Sequence, residues 1–396
     1  MPSDLLTIDA ALELVLARAQ PLDSELVAVA AASGRVLALD ARSAVDLPPF
    51  DSSAMDGYAV RAADTPGELA VAGQSAAGLP AGAPLARGAA AVISTGAVVP
   101  DDADAVVPIE RTSLEGSTVT VEGVAAGAHV RPRGGDAHAG DLVVEGGTRL
   151  GPPQIGALAA AGAATVTCAR RPRVALLATG TELRAPGTEL RPGEIYESNT
   201  VLLAAQAVTA GATADVLDSV EDDPDATREA LKRALAADVV ITSGGVSVGP
   251  HDLVRAALAD LGAEEVFWRV AVRPGKPVAF SARGRTLVFG LPGNPVSALV
   301  GFELFVRPAL LALQGAREPG PLYLPARLAA AVRQNADRDE LLRARLRMDA
   351  GGALVQPLGG QESHMIVRAA SADALVLVPR GTGELAAGAR VRYLPI

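Results

Sequence analysis

The chain has 396 residues, too many for one ordinary core, and its 49% hydrophobic and 20% charged content describes folded rather than disordered matter. A formal net charge of −10 argues against nucleic acid as the main partner. A lone cysteine, Cys168, excludes an intrachain disulfide.

Residues 7 to 19, TIDAALELVLARA, carry helical periodicity with Thr7 at the cap position. From Gly57 to about Arg131 the abundance of Gly, Pro, Val and Thr, with turn signals such as VVPDD, predicts a small β-rich unit. GPPQIGALAAAGA, residues 151 to 163, reads as a short helix opened by prolines. At RRPRVALLATG strands begin to alternate with helices. RVALLA, ATADVLDSV, DVVITSGG, EVFWRVAV and TLVFGLPG read as strands. SNTVLLAAQAVTAG (capped by Ser198 or Asn199), DPDATREALKRALAA, the stretch after Asp252 and NPVSALVGFELFVRPALLALQ read as helices. This order predicts a doubly wound, mostly parallel α/β sheet with its ligands beyond the carboxyl ends of the strands. After about Gly315 only short strands and turns follow, so a C-terminal β domain is expected. The start lacks the basic-then-apolar order of a signal peptide, and no apolar run is read as reaching the ~18 residues of a membrane span. A cytoplasmic protein with no membrane partner is expected.

Four polar stretches, ATGTEL, SVEDDPD, SGGVSVGPHD and GLPGNP, fall at carboxyl ends of predicted strands and should meet at one cleft. Gly244, Gly245 and Gly249, with Ser247 among them, would turn N–H groups toward an anion, although such a loop alone is equally an ordinary strand-to-helix turn. Asp252 and Asp223 suit helix starts. Asp222 stands one residue too early to cap, which makes it the better metal ligand; with Glu182 and Asp252 it could hold a hard cation such as Mg²⁺. Pro292, Gly293, Asn294, Pro295 and Ser297 belong to a stiff helix start, with Asn294 as N-cap and N–H groups open to an oxyanion. Arg269, Arg273 and Lys276, or Arg131 and Arg133, offer charge for phosphates, though surface solubility accounts for any one of them. The four histidines show no zinc spacing. The set suits phosphoryl or oxyanion chemistry better than acyl transfer.

FDSSAMDGYAV, ISTGAVVPDDADAVVPIE, TGTEL, SGGVSVGPHD, RPGKP and GLPGNPVSA together resemble the molybdopterin molybdotransferase family, which completes molybdenum-cofactor assembly and includes the C-terminal domain of gephyrin. The resemblance covers essentially the whole chain. It implies an elongated N-terminal α/β domain from residues 1 to 46 and 132 to 169, and an inserted β-rich domain from 47 to 131. A molybdopterin-binding α/β domain from 170 to 316 and a C-terminal β-barrel-like domain from 317 to 396 complete the chain. It implies a homodimer, its cleft lying between the α/β domain of one subunit and the N-terminal region of the other. The implied substrates are adenylylated molybdopterin and molybdate, the implied cofactor is Mg²⁺, and AMP is released on cleavage of the pyrophosphate bond. A molybdopterin adenylyltransferase and molybdoenzyme acceptors are the implied partners. By motif, Asp56 and Thr95 come from the N-terminal region, while Glu182, Asp222 and Asp252 form the acidic set. Pro292 and Pro295 match the family's functional prolines, and Arg273 and Lys276 would hold anions. Gly135 stands where the family commonly has an acid and Thr181 where Asp is frequent, which bears on anion or metal preference. A tungstate-preferring insertase, a molybdopterin adenylyltransferase and a partner-binding scaffold are the alternatives; the second leaves DSSAMDGYA unexplained.

Overall fold

The computed structural model describes residues 5–245 and 253–396, so Ser247, Gly249 and Asp252 lie outside the described residues. Thr7 starts the first helix, Ile8–Arg18, by accepting the Ala10 N–H at 3.1 Å. Ile8, Ala11 and Val15, at helical spacing, turn inward and pack on the core of the α/β unit. The next segments close a core with residues from beyond the β-rich insertion. Strand Ser24–Ala28 pairs antiparallel with Thr165–Ala169, and Ala41–Arg42 pairs with Leu142–Val144. Val29, Leu37, Leu150, Leu158, Val166 and Cys168 fill the space beneath.

The insertion forms one six-stranded sheet in the order Ala105–Pro108, Gly57–Val60, Ala89–Ile93, Gly67–Ser75, Thr118–Val121 and Thr112–Glu115. Gly57 is required by close approach: a Cβ there would stand 2.0 Å from the Val107 carbonyl oxygen of the neighbouring strand.

The α/β sheet runs Thr213–Val216, Arg173–Ala178, Val239–Ser243, Thr286–Leu291, Ala279–Arg283 and Glu264–Trp268. The first four are parallel, and Ala279–Arg283 runs antiparallel to both its neighbours. Three of these parallel strands, Arg173–Ala178, Val239–Ser243 and Thr286–Leu291, are almost wholly buried, as helices on both faces require, whereas the edge strand Thr213–Val216 is mostly exposed. Two sequence expectations are corrected here. EVFWRVAV is not one strand: Arg269, at φ +79°, breaks it into Glu264–Trp268 and Val272–Arg273, and the second piece pairs with the C-terminal domain. The strand Ala279–Arg283 is absent from the sequence expectation, because it is short and follows the Pro-Gly-rich loop RPGKP.

The helix Pro295–Leu313 is continuous through a π turn at Phe302–Val306. Its 19 residues are long and apolar enough to span a bilayer, which corrects the sequence reading that no run reaches that length. It is a core helix, mostly buried, and inside it Glu303 accepts from Arg307 (2.8 Å) and Gln206 (2.7 Å). The C-terminal strands Leu324–Leu328, Asp339–Asp349, Gly352–Pro357, Ala374–Val378 and Arg390–Pro395 close into a five-stranded barrel, which removes free sheet edges.

Candidate functional site

The carboxyl ends of the α/β strands surround a cavity of about 660 Å³, and each of the four expected loops supplies part of its lining. Thr179, Gly180 and Glu182 follow the first strand and Asp222 the second. Gly244 and Gly245 follow the third, and Gly293, Asn294 and Pro295 the strand Thr286–Leu291. Gly244 and Gly245 have φ of +93° and +65°, and a Cβ on Gly244 would approach the Thr179 carbonyl oxygen to 2.8 Å. The Gly244 N–H does not face an anion: it donates to the Leu291 carbonyl at 3.1 Å.

Among the described residues, Glu182 and Asp222 are exposed and neither carboxylate has a hydrogen-bond or ion-pair partner. A Cβ on Gly180 would lie 2.7 Å from Glu182 Oε2, so this carboxylate folds back over a bare α-carbon. Asp223 is committed to capping Pro224–Ala234 through the Ala226 N–H at 2.8 Å, which leaves Asp222 free as expected. No three His, Cys, Asp or Glu side chains cluster closely enough for a metal among the described residues, and Asp252 lies outside them.

Ser198 and Asn199 do not cap the helix Asn199–Thr209. Glu197 does, accepting the N–H groups of Asn199 (2.8 Å) and Thr200 (2.9 Å) and the Thr200 hydroxyl. Asn199 turns inward and is only 8% exposed. Its Nδ2 donates to Ser243 Oγ and to the Gly293 carbonyl, both at 2.7 Å, tying two cavity loops together. Its Oδ1 is buried without a partner.

The helix start at Pro295 is less open than expected. Asn294 makes no side-chain cap, and the Val296 N–H donates to the Ser363 carbonyl at 3.0 Å. Ser297 and Pro292 are buried. That contact brings in residues the sequence reading missed, His364 and Ile366 of the C-terminal region, which line the cavity. Arg343, 1% exposed, holds their loop by donating to the carbonyls of Gly360 (2.8 Å), Glu362 (3.2 Å) and Met365. Burial lowers its pKa below the usual arginine value. No local pattern announces this contribution; it arises from docking of the barrel.

Arg273 and Lys276 do not line the cavity. Arg273 pairs with Glu340 at 2.9 Å and Lys276 is exposed. Their loop passes the helix start, where a Cβ on Gly275 would be 3.6 Å from the Ser297 carbonyl oxygen. Asp56 and Thr95 come together elsewhere. Asp56 Oδ1 accepts from the Thr95 N–H (2.7 Å) and hydroxyl (3.1 Å), both residues are exposed, and neither lines this cavity. At Gly135 a Cβ would stand 3.0 Å from the Pro132 carbonyl oxygen, so this turn suits glycine.

Family models match in chain order: the MoeA N-terminal region (domain I and II) over residues 6–162, a probable molybdopterin binding domain over 175–312, and the MoeA C-terminal region (domain IV) over 325–396. Molybdopterin molybdenumtransferase 2 of Mycobacterium tuberculosis is 39% identical, covering 91% of this chain and 92% of its own. Molybdopterin molybdenumtransferase of Haemophilus influenzae is 36% identical over 99% and 98%. The molybdopterin biosynthesis MoeA protein of Pyrococcus horikoshii superposes with a TM-score of 0.81 at 33% identity, covering 99% of each chain. From its sequence, its order of domains and its fold, the chain belongs to the molybdopterin molybdenumtransferase family.

Proposed function

We propose that this chain inserts molybdenum from molybdate into adenylylated molybdopterin, cleaving the pyrophosphate bond and releasing AMP. The observation that carries this reading is the meeting of four glycine-, proline- and acid-bearing loops around one cavity, with Glu182 and Asp222 free at its wall. Gly244, Gly245 and Gly293 let the backbone come close to the ligand, and Pro292 and Pro295 stiffen the loop around Asn294. Oxygen donors on neighbouring loops fit a hard divalent cation, and Glu182, Asp222 and Asp252 are the residues that would hold it. Bound there, Mg²⁺ would neutralise the pyrophosphate and polarise the phosphorus under attack. Arg273 and Lys276, on the loop beside the helix start, attract the anions.

The working unit in this reading is a homodimer. The exposed Asp56 and Thr95 pair serves a cavity of the second copy, which accounts for its distance from the cavity lining of its own chain. A cytoplasmic setting suits the single, buried Cys168. A molybdopterin adenylyltransferase would supply the substrate, and molybdoenzymes would take the product. The test is purified protein with adenylylated molybdopterin, Mg²⁺ and either molybdate or tungstate. Molybdate-dependent AMP release is expected. Release with tungstate alone would reassign the oxyanion, and no release with either would overturn the reading.

A further inference from the structure

One wall of the cavity has a different chemistry from the rest. Residues 183 to 197 form a strap whose ends pair as a parallel ribbon, Leu183 against Ile195 and Arg184 against Tyr196. Polar bonds make the strap stiff. Arg184 pairs with Glu194 at 2.6 Å and donates to the Thr181 carbonyl at 3.0 Å, while Glu194 accepts the Arg191 N–H at 2.8 Å. The Tyr196 hydroxyl donates to the Thr188 carbonyl at 2.8 Å, which fixes the phenol at its far end.

Although it is tethered, Tyr196 remains 45% exposed and Ile195 54%, and both line the cavity. Two adjacent apolar side chains held open to water by a braced strap are not explained by core packing. Glycine backbone, Glu182 and Asp222 supply the polar wall. A pyrophosphate has no use for an apolar surface, but the substrate proposed above carries planar heterocycles at both ends. A rigid aromatic ring beside anion-handling loops is the arrangement that stacks a base while its phosphates are held elsewhere.

We infer that the strap is the ring-binding subsite of the cavity, with Tyr196 the specificity-determining platform on which a planar heterocycle of the substrate stacks. This rests on the proposed function for the identity of the ligand class. Adenine and pterin share the required chemistry, and the test separates them.

Calorimetric titration of the full-length protein with AMP, 6-hydroxymethylpterin and inorganic pyrophosphate, each with Mg²⁺, is the experiment. Tyr196→Ala is expected to weaken one of the two ring compounds by about ten-fold, the loss of a single stacking contact, with pyrophosphate unchanged. Tyr196→Phe keeps the ring and should stay within roughly two-fold of the unaltered protein. Whichever compound weakens identifies the ring that is bound. The inference is overturned if the intact protein binds neither ring compound, or if neither weakens. Pyrophosphate falling in step, or Phe behaving as Ala does, overturns it as well. No molybdenum transfer is needed for these readings, so a failed AMP-release assay beside intact ring selectivity would remove the proposed function and leave the subsite standing.

Discussion

Asn199 joins loops that are far apart in sequence, with 44 residues separating it from Ser243 and 94 from Gly293. Both bonds use the amide nitrogen as donor, so the isosteric Asn199→Asp keeps the volume and reverses the chemistry at the Gly293 carbonyl. The variant should lose about 2 kcal/mol in denaturant unfolding, since a buried carbonyl would then face a carboxylate. AMP release should fall by at least roughly ten-fold, because the glycine loops lose their mutual register. Full turnover with reduced stability would leave Asn199 a purely structural residue. Nothing in ESNT discloses this inward role, since Ser and Asn before a helix are ordinary caps. The Glu197 side chain, from one residue before the cap position, accepts the Asn199 and Thr200 N–H groups, and the Asn199 side chain turns inward.

Among elements, the strands and their terminal loops were legible because chain chemistry marks them. Buried runs such as VVITS end in glycine, and Asp223-Pro224 announces the next helix. Less legible was whatever depends on one element meeting another, as with the Arg269 break, the antiparallel strand Ala279–Arg283 and the His364 loop. Arg343 shows what such meetings cost to hold. Arg343→Lys keeps the charge but loses the planar fork that reaches several carbonyls. Faster amide exchange across residues 358 to 366 is expected, with a loss of about 2 kcal/mol in global stability. Unchanged exchange there would assign the loop's position to other contacts. At the opposite end of the α/β sheet, Asp238 anchors the strand Val239–Ser243. Burial by itself would raise its pKa, but two bonds from Arg170, both 2.7 Å, and the Arg173 N–H at 2.8 Å outweigh burial and hold it below the usual carboxylate value. A depressed folded pKa means the stabilisation is present above the unfolded value of about 4 and fades as pH falls through the folded one. Asp238→Asn should therefore cost about 2 kcal/mol at neutral pH, and the gap to the unaltered protein should narrow in acid. A gap independent of pH would sink the ion-pair account.

At the scale of the whole molecule, the proposed site divides between two clusters that one chain keeps apart: Asp56 with Thr95, and Glu182 with Asp222. Mixing Asp56→Ala with Asp222→Ala subunits, each inactive alone, should restore about a quarter of full activity, because half the dimers are mixed and each of those has one intact site. No recovery after verified subunit exchange would return both clusters to a single chain. The apolar helix Pro295–Leu313 has a consequence of another kind, felt while the polypeptide is still being made. Before it has docked on the helices and strands that bury it, such a stretch resembles cargo for the translocation machinery. Glu303 and Arg307 stand near its middle, where a charge costs roughly 2.5 to 3.5 kcal/mol to place in a bilayer. The pair that stitches the finished core thus also discourages the newborn segment from lodging in lipid, so replacing both by leucine would create a sorting error as well as a packing change.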